Sequence, residues 1–385
     1  MGKTIDYKFK MSNKKFVAYF YNIFILLFGI NAFNLNANRN RIPIRTFTDK
    51  IVTIGTSSFD QDLIMRLHNN GINIFRVDFS YGDINSKVRL FHILKETRER
   101  YQLNIKIMVD LHGTKNPVGK LSKPLKVIPG NTLHLDTTTS IGFNNTIPFE
   151  NYDLLDRLVE GDMLFLKEGH VKMRVVDTLG NGRLETVVSQ GGVISSNMDI
   201  KFSKETINKD IITSKDRFDI KSICLLNKIT RIDYISLPNV ESTDELIELK
   251  NNIPAYSINI IAKIERKIAV ENIKKILNTC EGIIICRSNI VIEVGIENVP
   301  FIQKELIKLA RIRGKICIIS AESSYQNSDI TIISYSEVND IVNTVSDGAT
   351  ALIMPQIPEN KLIPFIHQHN AIIKKAERQI NLFIF

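Results

Sequence analysis

Lys263 and Glu265 are the two residues whose types and spacing point most directly to chemistry. They close a short apolar run, INIIAKIE, and the alternation of a strand puts both side chains on one face. An ammonium there can meet a developing negative charge, and the carboxylate can hold a divalent cation. Mg²⁺ prefers one or two carboxylates together with substrate oxygens and water. The next apolar run, residues 282–288, leads into Arg287, Ser288 and Asn289, with an amphipathic helix predicted over residues 267–277 between the two. Arg76, Asp78 and Ser80 stand at the end of a third run, and Asp110 at the end of a fourth. Cations at some strand ends and carboxylates at others suit phosphoryl transfer, which is governed by positioning and charge more than by covalent chemistry. From two residues alone, the plainer account of Lys263 and Glu265 is a structural ion pair.

Eight apolar runs must position these residues. They cover residues 50–55, 72–79, 105–111, 233–238, 258–265, 282–288, 315–320 and 351–356. Continuous apolar runs rich in β-branched residues suit parallel strands buried on both faces. Segments of helical period separate most of them, among them residues 60–70, 86–101, 242–251 and 299–313. Eight β-then-α units predict an α/β chain closed into a (β/α)8 TIM barrel, whose strand ends form a catalytic face. One spacing is too long for a crossover, that between Leu111 and Asp233. Residues 120–205 are rich in turn pairs such as Pro129-Gly130 and Gly180-Asn181-Gly182, flanked by Val/Leu/Ile alternation. They predict a small β-barrel lid domain inserted after strand three, leaving residues 49–119 and 206–385 to the barrel.

The motifs resemble those of the pyruvate kinase family. AKIER followed by a helix, CRSNIVIE and VPFIQK is similar to the family's AKIEN, ARGDLGVE and VPxxQK. RVDFSYG is similar to RLNFSHG, VDLHGTKNPVG to LDTKGPEIRTG, and VVSQGGVISSNMDI to a lid segment NGGVLxSxKGVN. The resemblance covers residue 48 to about residue 380, and a counterpart of the family's C-terminal domain is not expected. It implies that Lys263 is the catalytic cation, that Arg76 binds the phosphoryl group, and that Glu265 with Asn289 holds Mg²⁺ or Mn²⁺. It further implies K⁺ at Asp78, Ser80 and Asp110, and substrate contacts from Arg76, Ser288, Asn289 and the position of Ala321. The implied partners are phosphoenolpyruvate and ADP or ATP.

The same alignment shows losses. The family's second metal carboxylate is Asn289, its Gly before it Ser288, and an Asn of the monovalent site is Asp78. A phosphate-binding Arg is Pro117, a Thr is Leu111, a Lys is His112, and the Arg after strand four is Glu241. The Thr of TATQM that assists proton delivery falls at Ala321, beside Ser320, and the Arg of PTRAEV is Tyr335. In the lid, Asp-Asp-Gly is Lys167-Glu168-Gly169.

Charge excludes some partners. The net charge is +9, but residues 1–48 hold eight basic residues against Asp6, so the remainder is near neutral and a nucleic-acid partner is not expected. The leader places Lys14 and Lys15 before an apolar run over residues 16–33 and then an acid-poor basic stretch. That form fits a secretory signal joined to a transit peptide for a plastid-like organelle such as the apicoplast. A single membrane anchor, or a cytoplasmic protein with a structural extension, are the alternatives. Cys224, Cys280, Cys286 and Cys317 lack metal spacing and read as small buried hydrophobes. The seven histidines form no ligand pattern, and neither a P-loop nor a GxGxxG is present. Two readings follow: a divergent pyruvate kinase, or an impaired relative that serves as a binding or regulatory subunit, as a homo-oligomer or with a hetero-partner.

Overall fold

The computed structural model describes residues 48–55, 60–166, 169–202, 212–253, 258–320, 333–355 and 357–383. The expected leader, Ala321, and Lys167 with Glu168 lie outside them. Three strands open the chain: β1 (Asp49–Ile54), β2 (Ile74–Asp78) and β3 (Lys106–Asp110). After a long excursion come β14 (Tyr234–Leu237), β15 (Asn259–Ile264), β16 (Gly282–Ile285), β17 (Ile316–Ser320) and β18 (Ala351–Ile353). These eight are parallel and close in the order β1-β18-β17-β16-β15-β14-β3-β2. Closure removes both sheet edges, so every strand is paired on two sides.

Alternation sorts the barrel residues into two cores. Ile51, Ile74, Met108, Tyr234, Ile261, Ile284, Ile318 and Ala351 form one buried cluster inside the barrel. Their neighbours, such as Val52, Phe75, Ile107, Ile260, Ile283 and Ile319, join the larger cluster under the surrounding helices. Two residues further along seven of the strands, on the same inward face, stand Thr53, Arg76, Asp110, Ser236, Lys263, Cys286 and Ser320. The interior thus turns from apolar to polar within one step of the pleat, at the carboxyl end where the fold places its chemistry.

The excursion carries ten short strands: β4 (Lys120–Leu121), β5 (Leu125–Val127), β6 (Thr132–Asp136), β7 (Ile141–Gly142), β8 (Thr146–Pro148), β9 (Met163–Leu166), β10 (Val171–Gly180), β11 (Arg183–Gln190), β12 (Gly192–Ile194) and β13 (Ile200–Phe202). They form a six-stranded sheet, β13-β9-β10-β11-β6-β8, and two pairs, β12-β5 and β4-β7, around a separate apolar core. A short helix, Tyr152–Leu155, capped by Asn151, interrupts what the sequence predicts as all-β. The chain leaves and re-enters the barrel side by side. Val118 donates to Met198 O at 2.7 Å, Ile200 to Asn116 O at 2.9 Å, and Asn116 N to Asp199 Oδ1 at 2.7 Å.

Two local expectations differ. The helix predicted over residues 267–277 is two helices, Lys267–Glu271 and Ile273–Thr279, parted at Asn272, whose amide donates to Glu241 O at 2.9 Å. Arg287, Ser288 and Asn289 do not extend β16. They form the first turn of a helix, Arg287–Val294, because Asn289 N and Ile290 N both turn back to Cys286 O. Cys280, Cys286 and Cys317 are buried, Cys224 is half-buried, and all four are free. Among the described residues no helix is long and apolar enough to cross a membrane.

Gly282 sits where β16 crosses β17, and a Cβ there would lie 2.6 Å from Ile316 Cβ and 2.7 Å from Ile316 O. Gly282→Ala should therefore cost about 1–3 kcal/mol, as overpacking does, while Gly55→Ala, with open space around it, should leave thermal denaturation unchanged.

Candidate active site

Asp110, at the end of β3, is the hub of the polar layer. It is 2% exposed. Its Oδ2 accepts from Arg76 Nε at 3.0 Å and from Arg76 Nη2, and lies 3.6 Å from Lys263 Nζ. Its Oδ1 accepts from Ser236 Oγ at 2.6 Å. Burial alone would raise its pKa, but Lys263 and Arg76 outweigh burial and hold it down to about 2. Arg76 spends its remaining donors on Thr53 Oγ1 at 2.8 Å and Asp78 Oδ2 at 3.3 Å.

Lys263 reaches the same centre from β15. Its ammonium lies 3.3 Å from Glu265 Oε1, so the pair expected from alternation does meet. Desolvation pulls the Lys263 pKa down, yet Asp110 and Glu265 together push it above its ordinary value, so the side chain is a fixed cation. Glu265 is driven the other way. Burial opposes its charge, while Lys263, then Lys201 and the Asn239 N–H at 2.9 Å favour it, and its pKa falls. Cys286, directly after the neighbouring strand β16, is pushed up by burial first and then by Glu265, so its thiol stays protonated.

Two lysines that the sequence reading did not single out complete the mouth. Lys115 donates to Ser80 Oγ at 2.7 Å, 5.3 Å from the centre of the Tyr81 ring. Desolvation lowers its pKa, against the attraction of Asp78. Lys201, on β13, pairs with Asp199 Oδ2 at 2.8 Å and interacts electrostatically with Glu265 and Lys263. Outside this ring, Arg266 joins Glu241 and Glu293, each at 2.7 Å. Arg287 turns away to Asp340, Gln303 and the Ser320 carbonyl.

The pyruvate kinase barrel-domain model matches residues 46–357. The chain belongs to the pyruvate kinase family. It is 28% identical over 341 residues to the pyruvate kinase of Thermotoga maritima, with 87% of this chain and 72% of that one covered. It is 30% identical to that of Thermococcus litoralis, covering 80% and 65%, and 26% identical to that of Chlamydia muridarum, covering 88% and 70%. The chain thus spans about two thirds or a little more of these relatives' lengths.

The structure brings Arg76, Asp78, Asp110, Lys263 and Glu265 into one network. Ser288 and Asn289 lie in the first turn of the helix that starts at Arg287. The family's K⁺ does not fit the residues expected to hold it. Asp78 Oδ2 and Asp110 Oδ2 are turned to Arg76 and Ser80 Oγ to Lys115, so a cation of the chain itself already faces one oxygen of each residue. A divalent ion fits only in part. Glu265 supplies one carboxylate, and Asn289, in the first turn of the helix after β16, brings no charge where the family has its second, so substrate oxygens would have to supply much of the rest. Among the described residues, no group of three or more His, Cys, Asp or Glu is placed for a metal. Thr53, Ser236 and Cys286 were findable from the alternation two residues beyond each interior apolar position. Lys115 and Lys201 lie inside the aligned motifs but at positions where the family has no cation.

Removing Asp110 strands two cations. Asp110→Asn should lose about 3–5 kcal/mol at neutral pH, as breaking a buried pair does. The carboxylate's folded pKa is depressed, so its contribution is complete above about pH 4 and is lost as pH falls through about 2. Chemical denaturation across that window should show a shallower pH dependence for the variant than for the unaltered protein.

Proposed function

We propose that this chain transfers the phosphoryl group of phosphoenolpyruvate to ADP, giving pyruvate and ATP, at a rate well below that usual in its family. The observation that carries this reading is the Lys263 ammonium, fixed at the barrel mouth between Asp110 and Glu265. In the transfer, the bond from phosphorus to the enol oxygen breaks and one to a terminal ADP oxygen forms. Charge spreads over the three phosphoryl oxygens in between. Lys263 would meet that charge without reorganising, because its two carboxylates already orient it. Arg76 would hold the phosphoryl group by giving up part of its bonding to Asp78. The N–H groups at the start of helix Arg287–Val294 would receive the substrate carboxylate. Mg²⁺, when bound by Glu265 and Asn289, would add neutralising charge to the phosphoryl oxygens.

Slowness follows from what is replaced. Each preorganised electrostatic group typically contributes about 10²–10³ in rate, and Pro117 and Asn289 each stand for such a group. Groups that act together do not add independently.

The alternative is a subunit that binds ligands without turnover. It is favoured by the commitment of Arg76 to Asp110, Asp78 and Thr53, which leaves a phosphate competing with three existing partners.

Coupled turnover of phosphoenolpyruvate and ADP with Mg²⁺ or Mn²⁺ separates the two. We expect slow turnover that Lys263→Met abolishes and Asn289→Asp raises about tenfold or more. A folded protein inactive even as Asn289→Asp would make the binding subunit the correct reading. Replacing K⁺ by Na⁺ should leave the rate unchanged, since Lys115 and Arg76 already occupy the oxygens K⁺ would need.

A further inference from the structure

Arg287 occupies a place that works against its charge. A cation in the first turn of a helix meets the positive end of the helix dipole, and the Arg287 side chain is only 12% exposed. Its acceptors account for its staying there. Nη1 donates to Gln303 Oε1 at 3.2 Å, on helix Val299–Ile312, and to one Asp340 oxygen. Nη2 donates to the other Asp340 oxygen at 2.8 Å, on helix Tyr335–Asp347. It also donates to the carbonyl of Ser320, the last residue of β17, at 3.2 Å. Gln303 in turn donates to Thr344 Oγ1 at 3.4 Å. One planar guanidinium thus ties the start of helix Arg287–Val294 to the end of the next barrel strand and to the helices on either side of that strand in the chain.

The turn held in this way carries a free hydrogen-bond donor. Asn289 N and Ile290 N are both spent on Cys286 O at 3.1 Å, which leaves the Ser288 N–H at the helix start for a ligand. Asp340 meets the charge of the guanidinium, so Arg287 serves geometry here rather than acting as an ion-pair partner for an incoming anion. We propose that Arg287, clamped by Asp340, Gln303 and the Ser320 carbonyl, is a positioning residue that sets the Ser288 N–H for the substrate carboxylate, so that the mouth selects enol phosphates that carry a carboxylate over those that do not. This rests on the reading of the mouth as the phosphoenolpyruvate site. A role for Arg287 through charge alone predicts the opposite response to loss of Asp340, because a guanidinium freed from its partner would draw the carboxylate in.

Two ligands separate the outcomes, measured by calorimetry on the full chain with Mn²⁺ present. One is phosphoenolpyruvate and the other is vinyl phosphate, the same enol phosphate without the carboxylate. Asp340→Asn and Arg287→Lys should each bind phosphoenolpyruvate about tenfold or more weakly than the unaltered protein, as loss of a hydrogen bond to a charged group does, and vinyl phosphate within twofold of it. Arg287→Lys keeps the charge but cannot span the acceptors. Without ligand, hydrogen exchange of the Asn289 and Ile290 amides, which the first turn protects, should quicken about tenfold or more in both variants. If either variant does not fold, Arg287→Met/Asp340→Asn, which leaves no unpaired charge, takes its place. Phosphoenolpyruvate affinity within twofold of the unaltered protein in a folded variant would overturn the proposal, and so would tighter binding by Asp340→Asn. Equal weakening of both ligands would also overturn it, since general loosening of the barrel gives that result. If no form binds phosphoenolpyruvate, the functional reading fails and takes the carboxylate half of the proposal with it. Quickened exchange at Asn289 and Ile290 would even then support the clamp, and unchanged exchange would remove it.

Discussion

The Asp110 carboxylate, shared between Arg76 and Lys263, is the interaction on which the rest of the mouth depends. Neither cation could remain inside the barrel alone, because burial of an unpaired charge is costly. Asp110 lets two of them stand on strands that are not neighbours, β2 and β15. It is in turn fixed by Ser236 on β14, which the closed sheet places beside it. The pairing of β14 with β3, which lie on either side of the inserted sheet in the chain, is thus a condition for the electrostatics as well as for the packing. Without it, Asp110 would keep Arg76 on the neighbouring β2 but lose the strands that carry Ser236 and Lys263.

Charge in this member of the family has been moved more than removed. Where the aligned pattern has an Arg after strand four, the chain has Glu241, and where it has the Asn of AKIEN, the chain has Arg266; the two pair at 2.7 Å. The cation lost at Pro117 has a neighbour two residues earlier in Lys115, and the one lost at Met198 has a neighbour three residues later in Lys201. Read as isolated substitutions, these positions look like decay. Read in three dimensions, several are exchanges in which one partner reverses and another follows. Asn289 has no such exchange among negatively charged residues, and it is the substitution that most changes what the site can hold.

Much of this was legible in the chain itself. All eight barrel strands were readable because parallel strands buried on both faces leave continuous apolar runs, and the meeting of Lys263 with Glu265 followed from strand alternation alone. What was not legible depended on distance in the fold. The partner of Arg76 lies 34 residues away on β3, and that of Ser80 35 residues away on the segment leaving the barrel. Nothing in the local sequence marks Lys115 or Lys201 as facing inward, since a lysine near a turn is more often solvated. The break at Asn272 was hidden because its cause, the Glu241 carbonyl, belongs to another crossover. The start of the helix at Arg287 was masked by an apolar run that continues through it.

The inserted sheet is joined to the barrel by two chain segments that run side by side and are bonded to each other at residues 116–118 and 197–200. Lys201 is one residue beyond that pairing, and its ammonium stays with Asp199, which lies within it. The insert therefore brings charge to the mouth as a dipole rather than as a net charge, with the Asp199 end tied down by the backbone of the outgoing segment.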